Sequence, residues 1–259
     1  MAEAKTAVAH KPVWTDLTTS DPEGARKFYS AIFGWKVEVN PDPQYGGYAL
    51  AKAGGKDVAG IGPKQMDQAP TAWTVYIGTP DAAETAKKAE AAGGKIIAPV
   101  MAVGDQGHMA IIQDPSGAYL GLWQAGKMQG VQSTGSNAMG WAELNARGFH
   151  TAEPFYKQLF GWGEKKTPAV GENPEYTEFQ LHGDSIAGGM EMNPMVPEQV
   201  PSHWMVYFNV DNVDKAFDKV IEHGGKEMLS PMDMPGGRFA IVSDPQGAAF
   251  GILKMEESR

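Results

Sequence analysis

Cysteine is missing altogether from this 259-residue chain. That removes disulfides, thiolate nucleophiles and cysteine-held metal at once. Basic residues are a minority: 22 Lys and Arg against 31 Asp and Glu leave a net charge of −9, the reverse of the basic footprint that nucleic acid demands. No uninterrupted apolar run approaches the ~20 residues of a membrane-spanning helix. The start of the chain, Met1 to Pro12, lacks a basic-then-apolar signal pattern and reads as a flexible arm. These absences leave no nucleic-acid partner and no membrane partner, and the cytoplasm is the default compartment.

What is present is a module written twice. Trp14-Thr15-Asp16-Leu17 through Phe28-Tyr29 to Phe33-Gly34-Trp35 returns as Trp141-Ala142-Glu143-Leu144 through Phe155-Tyr156 to Phe160-Gly161-Trp162, an offset of 127. Over that stretch 8 of 22 positions are identical, where composition alone gives about one or two. The echo continues in Ala59-Gly60 and Ala187-Gly188, in Trp73/Tyr76 and Trp204/Tyr207, in Gly93-Gly94-Lys95 and Gly224-Gly225-Lys226, and in Asp114-Pro115 and Asp244-Pro245. A repeat this long is a duplicated domain, not a solenoid unit. The expected organisation is an arm over 1–12, module 1 over 13–124, a Gly-, Ser- and Gln-rich linker over 125–137 and module 2 over 138–255.

Within module 1, residues 14–19 read as a strand. Asp21-Pro22-Glu23 then reads as a helix start, with N-cap, proline in the first turn and an early acid. Ala25, Phe28, Tyr29, Ile32 and Phe33 form one apolar face that stops at Gly34. Short strands follow over 36–39, 47–51 and 58–61, punctuated by Gly, Pro and Asp. The same order begins again at Trp73, with a helix over 81–92, and module 2 mirrors it with helices over 151–159 and 213–223. The expected class is α+β: four βαβββ units in two pairs, each pair a curved mixed-sheet cup with helices on its outer face.

The strand, the Ser20-Asp21-Pro22 helix ending Phe28-Tyr29…Phe33-Gly34-Trp35, and the later Asp114-Pro115-Ser116-Gly117 together resemble the vicinal oxygen chelate superfamily. Module 2 offers Phe155-Tyr156, Phe160-Gly161-Trp162 and Asp244-Pro245-Gln246-Gly247. That group holds glyoxalase I, bleomycin-resistance proteins and extradiol dioxygenases, and the likeness covers nearly all of residues 13–254. It implies the fold; the reaction stays open among lyases, isomerases, oxygenases and drug binders.

The resemblance also implies where a divalent metal would be held: seven residues before each helix-capping position and seven after the Asp of Asp-Pro-x-Gly. Here those positions are Trp14, Thr74 and Gly121, then Trp141, Met205 and Gly251. None is His, Glu or Gln, and such ions need imidazole or carboxylate ligands. No cofactor is therefore expected, with a divalent metal at some other position left open.

Residues two along each strand share the same face, which adds Asp16, Tyr76 and Trp123 in module 1 and Glu143 and Tyr207 in module 2. Asp16 and Glu143 are equivalent carboxylates: either acid/base groups or structural acceptors. Trp14, Thr74, Tyr76, Trp123, Trp141, Met205 and Tyr207 form the candidate ligand-binding surface, with His108 and its counterpart Arg238 at the mouth. The Met190–Met195 run is either a lid or a packed loop. The leading expectation is a metal-independent binder of an aromatic or reactive small molecule. The alternative is a glyoxalase-like lyase, isomerase or oxygenase working through Asp16 and Glu143. Tandem copies can pair within one chain, so either a monomer or a homodimer is compatible.

Overall fold

The computed structural model describes residues 9–66, 68–168 and 175–256. The strand β1 (Pro12–Thr19) leads into helix α1 (Pro22–Phe33), followed by β2 (Lys36–Val39), β3 (Ala49–Ala53) and β4 (Lys56–Pro63). The order then repeats as β5 (Ala72–Gly78), α2 (Ala82–Ala91), β6 (Lys95–Val103), β7 (Gly107–Gln113) and β8 (Tyr119–Ala125). The second half gives β9 (Met139–Ala146), α3 (Phe149–Phe160), β10 (Gly163–Thr167), β11 (Tyr176–Leu181) and β12 (Asp184–Glu191). It closes with β13 (His203–Asn209), α4 (Val213–Glu222), β14 (Lys226–Met234), β15 (Gly237–Ser243) and β16 (Ala249–Met255).

These four βαβββ motifs make two mixed eight-stranded sheets, ordered β2-β3-β4-β1-β5-β8-β7-β6 and β10-β11-β12-β9-β13-β16-β15-β14. In every motif the first and last strands pair parallel, as a helical crossover requires. Within each motif the second strand pairs antiparallel with the third, and the third with the fourth. The α+β class and the tandem duplication are as the repeat implies.

Local chemistry sets the helix ends. Asp21 caps α1 by accepting from Gly24 N at 2.9 Å, and Gly34 closes it in the left-handed region at φ 66°. The third helix departs from this scheme. Gly148 stands where module 1 has Asp21 and gives no side-chain cap. Glu191, at the end of β12, caps α3 instead, its two oxygens accepting from Gly148 N at 2.8 Å and Phe149 N at 2.7 Å.

The chain divides into two compact units: Met1–Trp14, Val75–Gly130 and Trp141–Met205 form the first, and Thr15–Thr74, Val131–Gly140 and Val206–Arg259 the second. Each unit therefore takes one βαβββ motif from each sequence repeat. In the first, α2 packs on α3. Its core holds Tyr156, whose hydroxyl donates to Asp114 Oδ2 at 2.8 Å while Trp204 Nε1 donates to that hydroxyl at 2.9 Å. In the second, α1 packs on α4. There Tyr29 donates to Asp244 Oδ2 at 3.0 Å and accepts from Trp73 Nε1 at 2.9 Å.

The Phe-Tyr and Asp-Pro-x-Gly motifs are thus structural. The Tyr of one repeat bonds the Asp of the other, inside a cage of aromatic rings about 5–6 Å apart. Each such bond to a buried carboxylate contributes about 1.5–3 kcal/mol.

The segment leading into β1 is fastened where the sequence suggests a loose arm. His10 N donates to Gly78 O at 2.7 Å, and His10 O accepts from Trp162 Nε1 at 2.6 Å. Its repeat counterpart Asn137 does the same in the second unit, its carbonyl taking Trp35 Nε1 at 2.7 Å. Both residues adopt positive φ, 63° each. Positions 1–8 of the expected arm lie outside the described residues.

Candidate functional site

Helices cover one face of the strands, so the residues of interest stand on the opposite, helix-free face. Burial alternates accordingly: Ala142, Leu144 and Ala146 of β9 are buried, while Trp141 and Asn145 are part-exposed with Glu143 between them, 7% exposed. Trp14, Asp16 and Thr18 hold the corresponding positions on β1.

In the first unit Glu143 sits at the end of a hydrogen-bond relay. Trp141 Nε1 donates to Tyr176 Oη at 2.9 Å, Tyr176 donates to Glu143 Oε2 at 2.9 Å, and Asn145 Nδ2 donates to Glu143 Oε1 at 3.1 Å. Burial, and then the charge of Glu143, push the Tyr176 phenol far above its usual range, so it stays protonated and donating. Gly188 lies beneath, directly across from Glu143 in the parallel register. A Cβ at Gly188 would overlap the Tyr176 hydroxyl. The second unit repeats the device more compactly: Tyr48 donates to Asp16 Oδ1 at 2.5 Å over Gly60, where a Cβ would overlap both groups.

The glycines at the implied metal positions likewise lie under tyrosines of their own unit. Tyr76 and Gly121 are cross-strand neighbours in the first unit, and a Cβ at Gly121 would run into the Tyr76 ring. Tyr207 covers Gly251 identically in the second. A glutamate ligand at either position would have to displace a buried ring. Trp14, Thr74, Trp141 and Met205 supply no imidazole or carboxylate, and among the described residues no group of three or more His, Cys, Asp or Glu could hold an ion. These residues do not fit the divalent metal that the resemblance implies.

Other candidates fall in different places. Trp14 and Trp123 are buried, 2% and 6% exposed, and Trp123 Nε1 donates to Met128 O at 3.0 Å. They wall a face; they do not stand open on it. Thr74 is part-exposed, and Met205 and Tyr207 are buried. His108 is exposed but pairs with Gln124, on the parity of the buried Ala110 and Ile112, so it stands on the helix side and not beside Gly121 and Trp123. Arg238 likewise shares its parity with Ala240 and Val242. Its guanidinium is held by Asp214 at 2.8 and 3.0 Å and by Asp233 at 2.7 Å. By strand parity both residues stand on the helix side of their strands.

The Met190–Met195 run splits between strand and loop: Met190 and Glu191 belong to β12, and the loop after them is clamped by Arg147. Its side chain donates to the carbonyls of Val196, Pro197 and Val200 at 3.0, 2.7 and 3.2 Å. Tyr48 and Tyr176 were not singled out by strand alternation. Their signal was an offset of 128 (48 to 176), the same as that of the glycines beneath them (60 to 188).

Comparison with known proteins agrees with this architecture. The Glyoxalase/Bleomycin resistance protein/Dioxygenase superfamily profile matches residues 11–122 and 138–252. A relative from Mycobacterium tuberculosis, named "Putative glyoxylase CFP32", is 39% identical over 252 residues, covering 94% of each chain. "Anthracycline biosynthesis protein DauV" of Streptomyces sp. strain C5 is 34% identical over 262 residues, covering 95% of this chain and 94% of that one. The Mn(II)-bound glyoxalase of Novosphingobium aromaticivorans shares the fold at a TM-score of 0.66 and 15% identity, over 96% of this chain and 83% of that one. With both repeats matched, the chain belongs to the Glyoxalase/Bleomycin resistance protein/Dioxygenase superfamily.

Proposed function

We propose that the chain binds a small aromatic or reactive metabolite or drug without a metal, on the helix-free faces of its two modules (13–124 and 138–255). The observation that carries this reading is the replacement of a ligand carboxylate by a tyrosine ring packed on glycine, Tyr76 on Gly121 and Tyr207 on Gly251. The position that would bring charge to an ion instead lies under an apolar aromatic ring. The carboxylates that remain, Asp16 and Glu143, are tied to phenols. A relative named for anthracycline biosynthesis supports a polycyclic aromatic ligand.

A second reading gives Asp16 and Glu143 proton-transfer roles in a lyase, isomerase or oxygenase reaction. In its favour, Glu143 is a nearly buried carboxylate on the same face. Three measurements test these readings. Mass-spectrometric metal content after incubation with Ni²⁺, Zn²⁺, Fe²⁺ or Mn²⁺ and desalting is expected near zero; stoichiometric metal defeats the metal-free reading. A thermal-shift screen with anthraquinones and related polycycles is expected to raise the melting temperature, since a ligand that binds only the folded state stabilises it. In Asp16→Asn and Glu143→Gln variants binding is expected to persist, whereas an enzymatic rate would fall by about 10²–10⁴-fold.

A further inference from the structure

We infer that the helix-free face of β14, β15 and β16 in the second unit binds an uncharged, planar hydrophobic molecule through methionine, aliphatic and ring contacts. This rests on the binding reading above and gives it a place and a ligand class.

Register puts Met232, Phe239 and Leu253 side by side across the three strands, and cross-strand partners share a face. Leu229 and Ile241 stand in the next row, beside Gly251 and the Tyr207 ring that covers it. In the row on the other side, Met234 and Met255 flank Gly237. The alternate residues Ala240, Val242 and Ile252 are fully buried on the helix side. The helix-free rows are not sealed in this way. Leu229, Met232 and Met255 are 37%, 44% and 48% exposed, and Met234, Phe239 and Ile241 are part-exposed.

An antiparallel sheet packed on one face ordinarily turns its polar residues to the open one. Here the charges are sorted the other way. Asp233, Arg238 and Lys254 form a row on the helix side, where Arg238 is tied to Asp233 and to Asp214 of α4. Among the described residues of these strands, register puts one charge on the helix-free face: Lys226, opposite Ser243, a row beyond Leu229. An ionised group laid on the three apolar rows would shed water and gain no partner. An uncharged ring system bears no such cost, and the unbranched methionines can adjust to its outline.

The size of the patch selects a small molecule over a second chain. Neighbouring strands lie about 4.8 Å apart and alternate residues about 6.8 Å apart, so three strands by three rows span roughly 10 by 14 Å. That is on the order of 150 Å², where a stable interface takes about 800 Å² from each partner.

The test compares N-phenyl-1-naphthylamine, which is uncharged, with 8-anilinonaphthalene-1-sulfonate, the same ring skeleton carrying a sulfonate. Fluorescence titration of the full chain is done at 0.15 M salt, where screening confines the effect of its net charge of −9 to about 8 Å. The corresponding row of the first repeat is Met101, Met109 and Trp123, so all variants are compared in a Met101→Gln background. The uncharged probe is expected to bind at least about tenfold tighter than the sulfonate. Met232→Lys is expected to remove or reverse that preference, while Met195→Lys, on an exposed loop, leaves it unchanged. With ¹³C-methyl-labelled methionine, the uncharged probe is expected to shift the methyl signals of Met232, Met234 and Met255, assigned through Met232→Leu, Met234→Leu and Met255→Leu. Equal affinities, a preference that survives Met232→Lys, or shifts confined to other methionines overturn the inference while leaving the binding reading intact. Shifts of the same methyls with protein concentration alone, together with a dimer in sedimentation, would give the face to a second copy and also overturn it. If neither these probes nor the polycycles of the thermal screen bind, both readings fall. Melting curves of each variant, expected within a few degrees of the parent, separate loss of recognition from loss of fold.

Discussion

Glycine at 121 and 251 is a residue-scale choice with a testable consequence. Each lies under a tyrosine ring that a single methyl group would strike, and such overpacking costs about 1–3 kcal/mol. Gly121→Ala is expected to lower the melting temperature accordingly, and Tyr76→Leu in the same chain to recover part of the loss. If Gly121→Ala melts like the parent, the ring is not packed there.

Three further tyrosines make a pH prediction. Tyr29 and Tyr156 are fully buried against aspartates and Tyr176 is part-buried against Glu143. Burial raises all three phenols well above their ordinary range. An unfolded phenol ionises near pH ~10. With the folded values raised, the unfolded state binds fewer protons above that point, so their contribution to stability is intact below about pH 10 and declines as pH rises beyond it. An absorbance titration at 295 nm is expected to show these phenols releasing protons only together with loss of tertiary structure. Release before unfolding would contradict the burial.

At the scale of elements, α3 is the informative exception. Its first amides are capped from β12 by Glu191, 43 residues away in sequence. Glu191→Ala is expected to destabilise the chain by about 0.5–2 kcal/mol, with faster hydrogen exchange at Gly148–Thr151 and no change at α1, which Asp21 caps locally. Equal exchange in both helices would remove the cap assignment.

The same contrast shows why some elements were legible in the sequence. Asp21-Pro22 and Gly34 bracket α1 with local chemistry, and β2 at 36–39 is bounded by Gly34 and Pro41, so its limits follow from short-range signals. Residues 151–159 were the readable part of α3; it begins at Phe149 because a distant carboxylate supplies the cap. At the site, alternation placed Asp16 and Glu143 on the helix-free side. It did not separate His108 and Arg238 from that side, because a polar residue near a strand end does not declare its face. Tyr48, just before β3, and Tyr176, on β11, stand one strand removed from the carboxylates of β1 and β9, and only the sheet order and register bring them there.

The duplication has its largest consequence for the whole molecule. Each compact unit needs a tyrosine from one repeat and an aspartate from the other: Tyr29 with Asp244 in one unit, Tyr156 with Asp114 in the other. A fragment ending at residue 130 would keep Tyr29 and Asp114 and lose both of their partners. It would also expose the apolar ring surfaces around Tyr29, among them the faces that Phe208 and Phe250 cover. Two copies of such a fragment can satisfy each other, because Asp114 stands in its repeat where Asp244 stands in the other and Tyr29 where Tyr156 does. Such exchange of equivalent contacts is a low-cost route to dimers. Sedimentation of residues 1–130 is therefore expected to show a dimer that dissociates and unfolds on dilution, with Tyr29→Phe weakening the association. A monomeric fragment as stable as the full chain would mean that each sequence module folds alone and that the pairing between repeats contributes little to stability.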